Sequence, residues 1–438
     1  MNQKIALILA PPFWPNLPPL SLISLASFLD FHSVESKLFD LNNKIFNLSD
    51  DSLKKEWLIS ANKPLEDKML HLLKTKFKKQ ITHVYEQLLT YDIAGFSCFR
   101  SNFLISLTMA QYLRQVKGKN IKIIFGGPQI TNLYFKTKGE YTAELYKLAN
   151  LIVTGEGEKP LLDFICKKTK QKIICFDQLK NIGDFNYIKG YKNINNNLYP
   201  KKQAMPLLFS RGCMRQCKFC SEKLLYRNLR IKKIETIISE IKYLQKEKGV
   251  KQFIFHDSML NADLKELEKL CDMIIESFGS IPWEAQMGVR TDMSEELLFK
   301  IKKSGCYNLF IGLESGSDNT LKNMNKGFTA AQAKKFFKSL NKAGLFFGVS
   351  MIVGFPQETE EDLEESLKFL IDHKNIIPKI EQINPFVYYA GTAVDKNLGY
   401  RDNPEILAKT DYFISRLKQE KFKMTKAFLN NLVEKYKE

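Results

Sequence analysis

Short apolar runs alternate with amphipathic stretches along most of this 438-residue chain, and they do so in two separate series. Each apolar run has the length of a strand and each amphipathic stretch that of a crossover helix. Such a succession places its strands in parallel. In the first series Lys4–Leu9, Ser36–Phe39, Ile93–Ser97, Ile121–Phe125 and Leu151–Val153 read as strands, with Leu20–Asp30, Leu104–Val116 and Lys159–Lys167 as helices. Residues 1–180 are therefore expected to form a doubly wound, Rossmann-like parallel sheet, with a helical insertion at 51–89. Residues 181–203 are rich in Asn, Lys, Gly and Tyr, lack periodicity, and are expected to be a linker. The second series places strands at Met205–Ser210, Gln252–His256, Trp283–Gln286, Asn308–Leu313, Gly348–Val353 and Gln382–Tyr388. Its helices are Ile234–Glu247, Leu264–Ser277, Glu295–Lys303, Ala330–Ala343 and Glu361–His373. Six βα units over 204–395 predict a partial (β/α)6 barrel of TIM type, open on one side. Residues 396–438 are expected to be a lysine-rich helical extension. The fold class is α/β.

The second series opens on a chemical motif. Cys213-x3-Cys217-x2-Cys220 follows its first strand, where a barrel places its active loops. Three thiolates at this spacing can hold three irons of a [4Fe-4S] cube, whereas four cysteines would occupy all four. The open iron is then available to S-adenosylmethionine. The rival is a structural zinc, which takes four ligands, often as two separated Cys pairs. No second pair occurs, and no His lies near the motif. Cys98, Cys166, Cys175, Cys271 and Cys306 stand alone, mostly in apolar context, and read as small core residues.

Composition narrows the class. Hydrophobic residues make up 44% and charged residues 26% of the chain, as in globular proteins. No run of about 18 or more apolar residues appears, so no membrane span is expected. Met1–Ala10 has neither a basic start nor a small-residue cleavage site and reads as a buried strand. Eight cysteines, three clustered and five scattered, form no disulfide framework and indicate a reducing, cytoplasmic setting. The net charge of +18 would attract nucleic acid or anionic lipid. The lysines gather at Lys68–Lys79 and Lys418–Lys437 as helix faces and a tail, so nucleic acid is not expected as a partner.

With an aromatic residue, Phe219, before the third Cys, the motif resembles that of the radical S-adenosylmethionine superfamily. Asn308-Leu-Phe-Ile-Gly-Leu-Glu-Ser-Gly-Ser317 resembles that family's fourth strand, whose glutamate faces the bound cofactor. Lys322–Gly327 follows as in relatives, and Val353–Thr359 resembles the fifth strand and its turn. The resemblance implies a [4Fe-4S] cluster on Cys213, Cys217 and Cys220. It also implies S-adenosylmethionine contacts from Phe219, Asp257, Arg290, Gly312, Glu314 and Ser315, Arg290 at a position that often meets the methionine carboxylate. Ala390-Gly391-Thr392 departs from the family's Pro-Gly-Thr.

The first series resembles the cobalamin-binding domain found ahead of many radical enzymes, through Pro18–Ala26, Ile93–Ser97, Gly126–Gln129 and Gly155–Glu158. Cobalamin would then be met by Ser97, Gly126, Gly127, Gly155 and Glu156. The Asp-x-His-x-x-Gly motif that supplies an axial imidazole is missing: His32, His71, His83, His256 and His373 all lie in other contexts. The resemblance implies reductive cleavage of S-adenosylmethionine to a 5′-deoxyadenosyl radical and methylation of an unactivated carbon. The substrate would be a small molecule, lipid or peptide, and the electron donor a flavodoxin or ferredoxin. Relatives also cyclise or rearrange their substrates. A methylthiotransferase would need a second cysteine set in the first domain, and a zinc-stabilised anion-binding module remains the non-enzymatic alternative.

Overall fold

The computed structural model describes residues 3–59, 63–394 and 404–425. It divides into two units: 1–206 with 224–226 and 239–250, and 207–223 with 227–238 and 251–438.

The first unit is built on β1 (Ile5–Leu9), β2 (Ser36–Asp40), β3 (Ile93–Ser97), β4 (Lys122–Gly126), β5 (Leu151–Thr154) and β6 (Ile173–Cys175). They pair in parallel in the order β2-β1-β3-β4-β5-β6. β1 and β3 are buried at every position, because helices cover both faces and every side chain must be apolar or small. β6 was not anticipated: three residues among lysines leave no readable run. Strand order reverses between β1 and β3, which creates a crevice at their carboxyl ends.

Two stretches outside the simple strand–helix alternation are tightly packed. Residues 51–89 are helical, as Asp51–Ile59, Lys63–Lys74 and Lys78–Leu88, and they pack into the core of this unit. Trp57, Leu65, Met69, Phe77 and Leu88 belong to the same buried cluster as Ala6, Ile8, Ala94 and Phe96 of the strands. These helices form one of the layers that close the sheet. Residues 181–203 are packed as well. A short helix, Ile188–Lys192, lies against the helix Leu20–Phe31 so closely that a Cβ on Gly190 would sit 2.3 Å from the Ile23 carbonyl oxygen. Tyr187 and Tyr191 are fully buried, and Tyr199 Oη donates to Asp40 Oδ2 at 2.7 Å. The tyrosines made this stretch read as polar, yet each buries a ring.

β7 (Ala204–Leu207) spans the boundary between the units, and the second unit carries β8 (Ser210–Arg211), β9 (Arg230–Ile231), β10 (Gln252–Phe255), β11 (Trp283–Met287), β12 (Cys306–Glu314), β13 (Phe347–Val353) and β14 (Ile380–Pro385). β7 and five of these strands form one open sheet, β14-β13-β12-β11-β10-β7, parallel at every junction from β10 to β14. This is the partial barrel. β8 and β9 form a separate two-stranded antiparallel ladder that clasps the loop between them. Helix Pro404–Gln419 follows, and Met424 then makes a parallel bridge to Ile380 at the β14 edge. The described part of the expected extension is thus built into this unit, while 395–403 and 426–438 lie outside the described residues. No helix among the described residues is long and apolar enough to cross a membrane.

Candidate metal centre and cofactor sites

Cys213, Cys217 and Cys220 share the loop that leaves β8. Gly212 starts it at φ +89°, and a Cβ there would stand 2.5 Å from the Asn228 carbonyl oxygen just ahead of β9. The loop is held from several sides. Arg215 donates through Nη1 to the carbonyls of Lys326 (2.9 Å) and Gly327 (3.0 Å), and through Nη2 to Val289 (2.7 Å). Lys218 N donates to Met324 O, Ala393 N to Lys218 O, and Asn325 Nδ2 to Gln216 O. Phe219 packs with Met324, Phe355 and Phe386. All three sulfurs are partly buried. Burial pushes the Cys217 thiol up, against the pull of the Lys326 charge, and pushes Cys220 up to about 12. Metal loading therefore has to displace protons.

The donor set fits a multi-iron cluster. Among the described residues no three His, Cys, Asp or Glu side chains converge as ligands of a single ion. A cubane asks for something else: separate thiolates on separate irons.

The other expected residues lie at the carboxyl ends of the same sheet but divide by role. Glu314 ends β12 at φ +73°, where the ladder to β13 shifts register. Its carboxylate accepts from Ser350 Oγ at 3.1 Å and faces Lys326 Nζ at 3.5 Å. Gly312 leaves that space open, since a Cβ there would meet Glu314 Oε1 at 2.6 Å. Asp257 is buried and accepts from Phe209 N (3.1 Å), Ser210 Oγ (2.6 Å) and Ser210 N, so it ties β10 to the approach of the cysteine loop. Burial pushes its carboxyl up to about 6. Arg290 lies forked on Asp292 and also donates to the carbonyls of Asn261 and Ala262. A ligand carboxylate would have to compete with Asp292 for it. Arg290 and Asp292 join Met214, Arg215 and Phe328 around a recess of about 220 Å³ beside the loop. Ser315 turns the other way, its Oγ 2.8 Å from Ser366 Oγ in helix Glu360–Asp372.

In the first unit, Ser97 ends β3 and Gly126 ends β4, with Gly127 at φ +101° against the Cys98 backbone. Gly155 follows β5, and its N–H donates to Thr131 Oγ1 at 2.9 Å. Glu156 is buried and accepts from Leu179 N at 3.4 Å. All five expected residues thus sit on the carboxyl edge of the sheet. The exit of β1 was overlooked. The rings of Phe13 and Phe99 meet tilted, with centroids 4.2 Å apart, Asn102 Nδ2 donates to Ala10 O, Ser101 Oγ to Pro12 O, and Trp57 Nε1 to Phe13 O. The paired prolines after a fully apolar strand were the available signal.

Residues 207–370 match the family model of the Radical SAM superfamily. The second unit carries a radical SAM domain. An uncharacterized methyltransferase of Pyrococcus horikoshii is 28% identical over 64% of this chain and 63% of its own length. An anaerobic magnesium-protoporphyrin IX monomethyl ester cyclase of Cereibacter sphaeroides is 26% identical over 52% of this chain and 37% of its own. The chain thus spans less than two thirds of either curated relative. The solved structure of the radical S-adenosylmethionine methyltransferase TsrM from Kitasatospora setae, with cobalamin and a [4Fe-4S] cluster bound, superposes with TM-score 0.67 at 13% identity. It covers 90% of this chain and 74% of that one. That likeness concerns the fold. A radical SAM domain takes a [4Fe-4S] cluster and S-adenosylmethionine.

Proposed function

We propose that this protein is a cobalamin-dependent radical S-adenosylmethionine methyltransferase. When bound, the cluster supplies one electron to the sulfonium of S-adenosylmethionine, breaking a C–S bond to give methionine and a 5′-deoxyadenosyl radical. The chain's residues would do the holding and orienting. Glu314 offers a carboxylate to the ribose or amino group, Gly312 leaves room for it, Phe219 closes the loop from below, and Arg290 offers a cation for the methionine carboxylate. Asp257 acts one step back, by fixing Phe209 and Ser210.

The observation that carries the cobalamin part is the strand order of the first unit. A parallel sheet ordered 2-1-3-4-5 opens a crevice at the β1/β3 exits. Phe13 and Phe99 pair at the β1 and β3 exits, and Ser97, Gly126, Gly127, Gly155 and Glu156 stand along the same edge. No histidine lies on these strand-end loops, so the corrin would be held without a protein imidazole. The methyltransferase relative and the likeness to a cobalamin-bound methyltransferase support the reading. The acceptor would be a small molecule, lipid or peptide, and a flavodoxin or ferredoxin would deliver the electron.

Anaerobic reconstitution with iron, sulfide and hydroxocobalamin tests this. The expected product carries about four irons per chain, one corrin by absorption, and releases 5′-deoxyadenosine when reduced. Iron without corrin would remove cobalamin from the account. About eight irons would favour a methylthiotransferase.

A further inference from the structure

Glu314 and Lys326 form an ion pair that folding alone does not call for. Their side chains are only 13% and 10% exposed, and the nearest N–O distance is 3.5 Å. A pair buried this far recovers little more than its own desolvation, so it contributes little net stability. Glu314 also holds φ +73°, a conformation costly for any residue but glycine. A Cβ on Gly312 beside it would stand 2.6 Å from Glu314 Oε1 and 3.5 Å from Lys326 Nζ, so a side chain there would crowd the pair as it stands.

The lysine is bound to the cysteine loop at both ends. Its carbonyl accepts from Arg215, which lies between Cys213 and Cys217. Its ammonium sits 5.8 Å from the ring centroid of Phe219, which lies between Cys217 and Cys220, and 5.7 Å from that of Phe328. A fixed positive charge thus stands under the loop, shielded from water. The potential of an iron–sulfur cluster responds to net charge, hydrogen bonding and solvent exposure around it. An entering electron adds negative charge to an already thiolate-rich site, and a buried cation favours the reduced form.

We infer that Lys326 is a positioning residue that sets the reduction potential of the cluster on Cys213, Cys217 and Cys220, with Glu314 as the counter-charge that holds its ammonium against the loop. This rests on the iron–sulfur reading of the loop. It goes beyond that reading by naming the residue that makes the cluster reducible and by giving Glu314 a task before any cofactor binds.

The test is a redox titration of the full chain, reconstituted anaerobically and followed by electron paramagnetic resonance without S-adenosylmethionine. Lys326→Met should lower the equilibrium constant for reduction at least tenfold, a midpoint 59 mV more negative for a one-electron couple. Lys326→Arg, which keeps the charge, should stay closer to the parent than Lys326→Met does. A smaller fall in Lys326→Met with its iron intact overturns the inference. If Lys326→Met does not take up its irons, Glu314→Gln decides. Removing the counter-charge should move the midpoint upward, and no shift or a downward one overturns the inference. A parent protein without a cluster signal would instead defeat the iron–sulfur reading itself.

Discussion

Gly212 is the most exposed weakness of the metal centre, because it is the hinge on which the cysteine loop leaves the β8/β9 ladder. Alanine there is penalised twice. Its φ of +89° costs a non-glycine residue about 1–3 kcal/mol. Its Cβ would meet the Asn228 carbonyl oxygen at 2.5 Å and carbon at 3.0 Å, about 1 Å short of ordinary contact. These neighbours are backbone and cannot rotate away, so the ladder must open. Together the effects amount to about 3–4 kcal/mol, a factor of about 100 to 1,000 in the population of the native loop. Gly212→Ala should therefore lose most of its iron on reconstitution and lose S-adenosylmethionine cleavage in parallel. Gly344→Ala is the control. Its φ is +67° but its Cβ would meet nothing within 4 Å, so it carries strain without collision and should keep its iron. Iron and sulfide per chain and the 5′-deoxyadenosine yield are the readouts. A Gly212→Ala protein with the full iron complement would refute this account of the loop.

Other outcomes follow from the same geometry. Asp257→Ala strips the acceptor from Phe209 N, Ser210 N and Ser210 Oγ; it should cost about 3 kcal/mol in urea unfolding and lower iron loading, with Asp257→Asn in between. Trp57→Ala should destabilise the first unit by about 3–5 kcal/mol, whereas a loss under about 1 kcal/mol would mean that helices 51–88 are dispensable. Burial pushes Glu358 up to about 7 and Asp257 up to about 6. The folded chain therefore holds these protons more tightly than the unfolded chain. The stability this contributes is complete below about pH 4 and is lost as the pH rises to about 7, by about 3 kcal/mol for each group. Glu358→Gln, which keeps an acceptor for Gly354 N, should flatten its share of that slope in unfolding curves measured from pH 4 to 8; an unchanged slope would mean that Glu358 ionises freely in the fold.

Much of this architecture was readable because parallel strands covered on both faces must be apolar throughout. β1, β3, β5 and β13 announce themselves as runs. β6, β8 and β9 do not, since two or three residues carry no periodicity. The helices of 51–88 were visible by their spacing, but nothing local says which sheet face they cover. Residues 181–203 read as polar because tyrosine and asparagine stand out in them, while Tyr187 is buried against a partner more than 150 positions away, Ser24. At the candidate metal centre the three cysteines stand out by their spacing, and Gly312 and Glu314 by the resemblance of Asn308–Ser317 to the radical S-adenosylmethionine family's fourth strand. The direction of Ser315 and the pairing of Glu314 with Lys326 do not. Both depend on the turn of the backbone at the end of β12, where the register slips and the chain enters the left-handed region.

The central claim is that three thiolates leave one iron open for a sulfonium compound. It is tested most directly by the electron paramagnetic resonance of the reduced, anaerobic protein before and after adding S-adenosylmethionine. The account predicts a [4Fe-4S] signal that changes shape on addition and is absent when Cys213, Cys217 and Cys220 are replaced by Ala. A signal indifferent to S-adenosylmethionine, or one that survives those replacements, would contradict it.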